Sequence, residues 1–424
     1  MGTRFGRLTS LSLALAACAC AAAAPTTYEG GSRERKHGYL VLQLRGTPED
    51  MGRQHGLLLK WQVQRMIRDL LLEGEASTPE EHARLIAGAM VMERYLPSEY
   101  RRELQALSEA AQVDYRDLVL AQLFGDVQRA SRRTYASTNA RRSPSATPPT
   151  GPQTSPRAPG AEWSTEPWTR CTSYAVFGPA TATGECIVGR NMDFWDHGVS
   201  SWGAALIHFR PSRGLPFMTT SWAGIINGWT AMNVAGIVCA NNSSFDGKSD
   251  SLEGLSTCFM VRKVAQYAHT VAEGVAIVKT TPRACGTNLI VAGGHPPNAA
   301  IVEFDHENLA VRWAENGAVW ADNGFISLYR DGSRPSYQGG RYERLKELIT
   351  GSYGRIDRSM NFAAAEGVPL RYINLHSALL FPQDLQFKVS MTLKPAADHW
   401  YRPFRLTPEG IEKADPPEGW PAEE

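Results

Sequence analysis

Several things are missing from this chain. It has no Cys-x-x-Cys pair, which argues against a zinc ribbon. It has no internal repeat, which argues against a solenoid or propeller. After the N-terminus no uninterrupted apolar run reaches the length of a bilayer span, so that part does not read as a bundle of spanning helices. It also lacks charge of one dominant sign. Lys and Arg number 44 against 43 Asp and Glu, a net charge of +1, so nothing draws the chain as a whole to nucleic acid or an acidic partner. Cysteine is sparse and odd in number, seven residues, with no spacing that resembles a disulfide framework.

What remains is globular: 424 residues, 43% hydrophobic and 21% charged. That is too long for one ordinary domain and long enough for a large core. Residues 1–24 read as an export signal, with Arg4 and Arg7 before the short apolar run Leu8 to Ala17. Leu15-Ala16-Ala17-Cys18 resembles a bacterial lipobox, which would lipidate Cys18; the alternative is an ordinary secretory signal cut within Ala21 to Ala24. The expectation is an exported cell-envelope lipoprotein, or else a secreted or periplasmic protein, touching membrane only through its anchor. Cys18 and Cys20 then leave the fold, and Cys171, Cys186, Cys239, Cys258 and Cys285 remain.

Residues 38–130 read as a mostly helical segment. Gly38 to Arg45 is a strand; Thr47 caps a helix with Pro48 at its first position and Glu49 and Asp50 at the positive end of the dipole. Helical spacing continues to Gly74, then through Glu80 to Arg94, Glu99 to Ala111 and Tyr115 to Arg129. Gly52 and Gly56, in Gly52-Arg53-Gln54-His55-Gly56, imply close packing against a neighbour, and His55 is either a hydrogen-bonded structural residue or a catalytic one. Residues 131–160, rich in Ser, Pro and Arg, read as a disordered linker.

From Cys171 the period changes to two. Thr172 to Phe177 with Glu185 to Arg190, Trp202 to Phe209 with Pro216 to Trp222, and Trp229 to Met232 with Gly236 to Asn241 read as strand pairs. Helices at Thr257 to Tyr267 and Val271 to Lys279 precede four strands between Thr287 and Trp320. Helices at Gly340 to Thr350 and Arg358 to Glu366 precede a last hairpin, Asn374 to Phe381 with Leu385 to Met391. Hairpins interrupted by helix pairs imply an α+β layered sandwich.

Cys171 is the candidate nucleophile. His197, His208 and His376 lie in no recognisable nucleophile motif. A cut between Arg170 and Cys171 would supply another base, the α-amine of Cys171, whose ordinary pKa of about 7.7–8.0 suits a general base near neutral pH. Gly189-Arg190-Asn191-Met192-Asp193 supplies Arg and Asp on the following strand.

These residues resemble the acyl-coenzyme A:6-aminopenicillanate acyltransferase family of N-terminal-nucleophile (Ntn) hydrolases, and more distantly the choloylglycine hydrolases and acid ceramidases. The resemblance rests on an ordered series. It runs from Arg45-Gly46-Thr47-Pro48 with Gly52 to Gly56, through Cys171-Thr172-Ser173 and Gly189 to Asp193, to Met232 to Asn242. Asp322-Asn323, Arg341 to Leu345 and His376-Ser377 complete it. It implies a four-layer αββα sandwich and an amidohydrolase or acyltransferase working through a cysteine thioester. Cys171 would be nucleophile for self-cleavage and acyl transfer. Arg190 and Asp193 would orient the thiol and amine, and Asn323 with Asn241 or Asn242 would hold the oxyanion. Arg341 would organise the site or bind an acidic group. No cofactor or metal is implied. The α-chain (to Arg170) and β-chain (171–424) would stay associated, and the partner is a small-molecule acyl amide such as an N-acyl amino acid or a penicillin. Arg170 departs from the family, which carries a small Gly before its nucleophile. The rival readings are a phospholipase B-like esterase on the same fold and a non-catalytic surface lipoprotein.

Overall fold

The strands after Cys171 pair into two sheets that lie face to face. The computed structural model describes residues 26–140, 169–246, 248–329 and 340–415; the expected signal segment with Cys18, and residues 141–160 of the expected linker, lie outside them. One sheet has ten strands. Thr27–Tyr28, Gly31–Lys36 and Tyr39–Gly46 from the N-terminal segment are followed by Ala204–Pro211, Phe217–Trp222, Thr230–Asn233, Ile237–Ser243, Thr287–Gly293, Asn298–Phe304 and Leu309–Trp313. The other has seven: Ala318–Ala321, Thr169–Val176, Ile187–Phe194, Asn374–Phe381, Gln386–Met391, Arg402–Leu406 and Ile411–Lys413. Neighbours are antiparallel except Tyr39–Gly46, which runs parallel to Ala204–Pro211. The N-terminal segment is therefore built into the sheet that carries the rest.

Both faces of each sheet are covered. Cys171, Ala175, Val188, Met192, Ala378 and Leu380 point between the sheets and join the large core. Tyr174, Val176, Ile187, Leu379 and Phe381 point the other way and form a second core with Leu345 and Ile349 of helix Gly340–Gly351. Helices Thr257–Tyr267 and Val271–Thr280 cover the ten-stranded sheet; Gly274 sits so near it that a side chain there would meet Val291. The layers are α, β, β, α, as expected from the resemblance. Burial on both faces makes every residue of Ile187–Phe194 and Ile237–Ser243 buried, so polar residues in these strands need partners inside.

Three local expectations change. The helix over Arg358 to Glu366 is absent: only a 3₁₀ turn forms, Phe362–Ala364, capped by Asn361. Arg358 is instead drawn into ion pairs with Glu185 and Asp384, and Asp357 Oδ1 accepts from the Ser359 backbone, a local bond that competes with helix. The last N-terminal helix, Tyr115–Ala140, runs past Arg129 into residues read as linker. Adding residues to a formed helix is easier than nucleating one, and no Pro or Gly intervenes before Pro144. The helix expected from Thr47 to Gly74 is broken into Pro48–Leu58, Lys60–Met66 and a π-helical stretch, Ile67–Glu75.

Candidate active site

The site forms where Thr169–Val176 pairs with Ile187–Phe194. The register sets Cys171 opposite Met192, Ser173 opposite Arg190 and Arg170 opposite Asp193. Alternation then separates two residues that the sequence groups together: Arg190 faces between the sheets with Cys171, and Asp193 faces the outer helix layer. An Arg190–Asp193 ion pair does not form. Arg190, wholly buried, donates from Nη2 to Cys171 Sγ at 3.2 Å and to the Asn241 carbonyl at 2.7 Å. That carbonyl is available because strand Thr230–Asn233 stops pairing at Thr230 opposite Ala240.

Asp193 works from the other face. Its Oδ2 accepts from Leu370 N at 2.9 Å and its Oδ1 from Asn374 Nδ2 at 2.7 Å, and Arg341 Nη1 lies 3.5 Å from Oδ2. Burial pushes the carboxyl up to about 6, opposed by the Arg341 charge, the Leu370 N–H, the Asn374 amide and the Arg190 charge. Arg341 reaches onward, donating from Nη2 to Asn323 Oδ1 at 2.7 Å and from Nη1 to the Cys171 carbonyl at 3.4 Å. Asn323 Oδ1 also accepts from the Cys171 backbone nitrogen at 2.8 Å. Asp193, Arg341, Asn323 and Cys171 thus form one continuous chain.

The segment around Asn323 is fixed from several sides. Asn288 Nδ2 donates to the carbonyls of Asp322 and Gly324. The buried Glu303 carboxylate accepts from the backbone N–H of Ile326, Ser327 and Leu328 and from Arg312 Nε.

The three asparagines expected at the oxyanion are placed differently from one another. Asn323 Nδ2 is committed to the Ser243 carbonyl at 2.5 Å. Asn242 Nδ2 bridges the sheets to Ser173 Oγ at 2.8 Å. Asn241 is the least committed: its Nδ2 makes long contacts, 3.5 Å to Thr257 Oγ1 and 4.0 Å to Cys258 Sγ, and its buried Oδ1 has no partner. Asn323 offers Cys171 its oxygen, not its N–H. Arg170 is buried beside Cys171.

The histidines do other work. His55 Nε2 accepts from Gly224 N at 2.9 Å, and burial takes its pKa down to about 3, which keeps it neutral as a structural acceptor. His376 Nε2 lies 2.8 Å from Thr230 Oγ1, its pKa held well below the ordinary value by burial and the Arg190 charge. His208 is lowered to about 4 by burial, and His197 bonds Glu75 at the surface. Burial pushes the Cys186 thiol up to about 12 and the Cys239 and Cys258 thiols well above the ordinary value.

Sequence reasoning missed Asn374 and the Leu370 N–H, which hold Asp193, and Ser173, which anchors Asn242. Asn374 and Ser173 were detectable as polar residues in strands that also carry Thr172, His376 and Ser377 and are buried on both faces. The backbone contact at Leu370 carries no sequence signal.

Residues 181–357 match the model of the acyl-coenzyme A:6-aminopenicillanic acid acyl-transferase family; the match begins ten residues after Cys171. An uncharacterised protein of Archaeoglobus fulgidus is 28% identical over 76% of this chain and 56% of its own length. The chain spans about half the length of the curated relatives it matches. Among solved structures, a Caenorhabditis elegans N-acylethanolamine-hydrolyzing acid amidase ortholog overlaps 58% of this chain and 100% of its own, with 14% identity and a TM-score of 0.38. A conjugated bile acid hydrolase from Clostridium perfringens overlaps 57% of this chain and 96% of its own, with 12% identity and a TM-score of 0.42.

Proposed function

We propose that the protein is an N-terminal-nucleophile amidohydrolase or acyltransferase that cleaves a linear amide through a thioester on Cys171. The observation that carries this is the convergence on one residue: Arg190 Nη2 on the Cys171 sulfur and Asn323 Oδ1 on its backbone nitrogen.

Maturation has a balanced route. Sγ attacks the Arg170 carbonyl carbon, the Arg170–Cys171 C–N bond breaks, and the proton passes to nitrogen. This leaves a thioester at Arg170 and a free amine on Cys171. Water then releases Arg170 as a carboxylate. In turnover the amine takes the thiol proton as sulfur attacks the substrate carbonyl. It then returns the proton to the departing amine, and water hydrolyses the acyl thioester. The Arg190 guanidinium stabilises charge on sulfur, and Asn323 and Arg341 fix the amine. Asn241 is the freest donor for the oxyanion, a position typically worth about 3–4 kcal/mol.

The two chains would remain together. Glu103 pairs with Arg262, the Gln122 side chain bonds Gly224 and Ile226, and Arg129 bonds Ser244 and Gly286 across the future chain boundary. Export with lipidation at Cys18 completes the proposal, with water as acyl acceptor.

Intact-mass analysis of purified protein tests it. Expected is a β-chain beginning at Cys171, absent from Cys171→Ala. An uncut chain with full amidase activity would overturn the amine mechanism, and fatty-acid release from phospholipid without amide cleavage would favour the esterase reading.

A further inference from the structure

We propose that Asn288, with Glu303 beside it, is a positioning residue for the reaction: the two hold the backbone from which Asn323 meets the nitrogen of Cys171. This rests on Cys171 being the nucleophile and its α-amine the base.

Three strands of the ten-stranded sheet each put a polar residue into one cross-strand row. Asn242 of Ile237–Ser243 stands opposite Asn288 of Thr287–Gly293, and Asn288 stands opposite Glu303 of Asn298–Phe304. Residues opposite each other share a face of the sheet, and all three are wholly buried. Their side chains take successive residues of the chain that leaves strand Ala318–Ala321. Asn242 Nδ2 reaches the Ala321 carbonyl at 3.3 Å. Asn288 Nδ2 donates to the carbonyls of Asp322 at 2.9 Å and Gly324 at 2.8 Å, the residues on either side of Asn323. The Glu303 carboxylate accepts from the N–H groups of Ile326 at 3.0 Å, Ser327 at 2.7 Å and Leu328 at 2.8 Å.

Neither bond of the Asn288 amide serves its own sheet. The backbone of Thr287–Gly293 pairs residue by residue with both neighbouring strands, so the sheet does not depend on that side chain. The amide can face only one way, since reversed its oxygen would stand against two carbonyl oxygens. In this orientation Asn288 Oδ1 is buried without a partner, a cost that an apolar side chain there would not carry. What distinguishes Asn288 is where its donor goes. It holds the chain before and after the residue whose Oδ1 accepts from Cys171 N at 2.8 Å and from Arg341 Nη2 at 2.7 Å. Glu303 then fixes the next turn of the same segment. Held on both sides, Asn323 keeps its oxygen aimed at that nitrogen, and a displacement of about 1 Å at such a site can cost about a hundredfold in rate.

The test uses the full chain, with an N-acylglycine and penicillin V as substrates. Asn288→Leu keeps the branching at Cγ and removes the donor. Intact mass gives the fraction matured, and rates are taken per mature β-chain. Expected is slower maturation and a kcat lower by about tenfold to a hundredfold, with KM unchanged. Asn233→Leu is the control. Asn233, equally buried in the same sheet, gives its Nδ2 to the carbonyls of Ala265 and Ala268 at the end of helix Thr257–Tyr267, so this variant should lower the Tm and keep kcat. If Asn288→Leu yields no folded protein, Glu303→Gln, which removes the charge that the three N–H groups share, is read for the same split against the same control. If the row variant matures and turns over as the wild type does, or if Asn233→Leu loses as much kcat, the positioning inference falls and the hydrolase reading stands. If the wild type neither matures nor cleaves either amide, the hydrolase reading falls and takes this inference with it.

Discussion

The backbone nitrogen of Cys171 donates to Asn323 Oδ1 at 2.8 Å, and it is the atom that a cut before Cys171 converts into an amine. The acceptor that holds the peptide N–H is therefore already in place for the amine. Asn323→Ala removes that acceptor and should slow both maturation and turnover by two to three orders of magnitude, on the order of 3–4 kcal/mol. Asn323→Asp keeps the oxygen and removes the Nδ2 donor to Ser243. It should mature within about tenfold of the wild-type rate. Time-resolved mass analysis reads the first step and amide hydrolysis the second. Maturation of Asn323→Asp as slow as that of Asn323→Ala would show that the oxygen alone does not suffice.

Asp193 gives the site a pH dependence. Its carboxyl sits at about 6 because burial disfavours its charge, and its charge holds Arg341, which holds Asn323. As pH falls through 6 the charge is lost, so kcat/KM should drop on the acid side with an apparent pKa near that value. Stability runs the other way. The folded value lies above the ordinary 3.8, so the folded state binds the proton more tightly than the unfolded. That contribution is complete below about 4 and is lost as pH rises through 6. Asp193→Asn should be weakly active at every pH and lack this slope in a plot of Tm against pH. An unchanged slope in the variant would assign it to another group.

The same pair of residues shows what a sequence can yield. Arg190 and Asp193 fall in one sequence block, yet strand alternation alone puts residues three apart on opposite faces. Cys171, Asn323 and Arg341 could be picked out, because each is a chemically capable residue in an ordered series. Their partners could not. The Asn241 carbonyl is free only because a neighbouring strand ends early, and strand ends are set by tertiary pairing. Arg358 to Glu366 has a helical pattern that loses to ion pairs with residues far away in sequence. The strands Thr27–Tyr28 and Gly31–Lys36 carry no strand signal, because Arg33, Glu34, Arg35 and Lys36 give no apolar alternation on an edge.

Glu103 and Arg262 pair in the interior across the proposed cut, 2.5 Å apart and each 1% exposed. Arg262 also lies over the rings of Tyr100 and Phe209 and donates to the Ile226 carbonyl. Removing one partner leaves a buried charge alone, so Glu103→Ala should cost about 3–5 kcal/mol. Glu103→Ala with Arg262→Met should cost less than Glu103→Ala alone, because no charge is stranded. Urea unfolding gives the energies, and co-elution of the chains after processing gives the functional consequence. A double variant worse than the single would mean that Arg262 stabilises through its ring contacts and not through Glu103.

Gly52 and Gly56 set two effects of opposite sign against each other. Both lie in helix Pro48–Leu58, where Ala would ordinarily gain about 1 kcal/mol over Gly. Here helix Ser98–Ala111 crosses too closely. A Cβ at Gly52 would overlap the Glu103 carbonyl oxygen, and one at Gly56 would stand 2.6 Å from Ala110 Cβ and 2.7 Å from the Leu107 carbonyl oxygen. Overpacking against backbone typically costs about 1–3 kcal/mol, occasionally more. Because backbone atoms cannot swing aside, the packing term wins. Gly52→Ala should lower stability by about 2 kcal/mol. Gly125, in helix Tyr115–Ala140, has nothing within 4 Å of its would-be Cβ, so Gly125→Ala should raise stability by about 0.5–1 kcal/mol. Urea unfolding of the two variants side by side decides it. Equal shifts of the same sign would mean that helix propensity, not the crossing of helices Pro48–Leu58 and Ser98–Ala111, governs these positions.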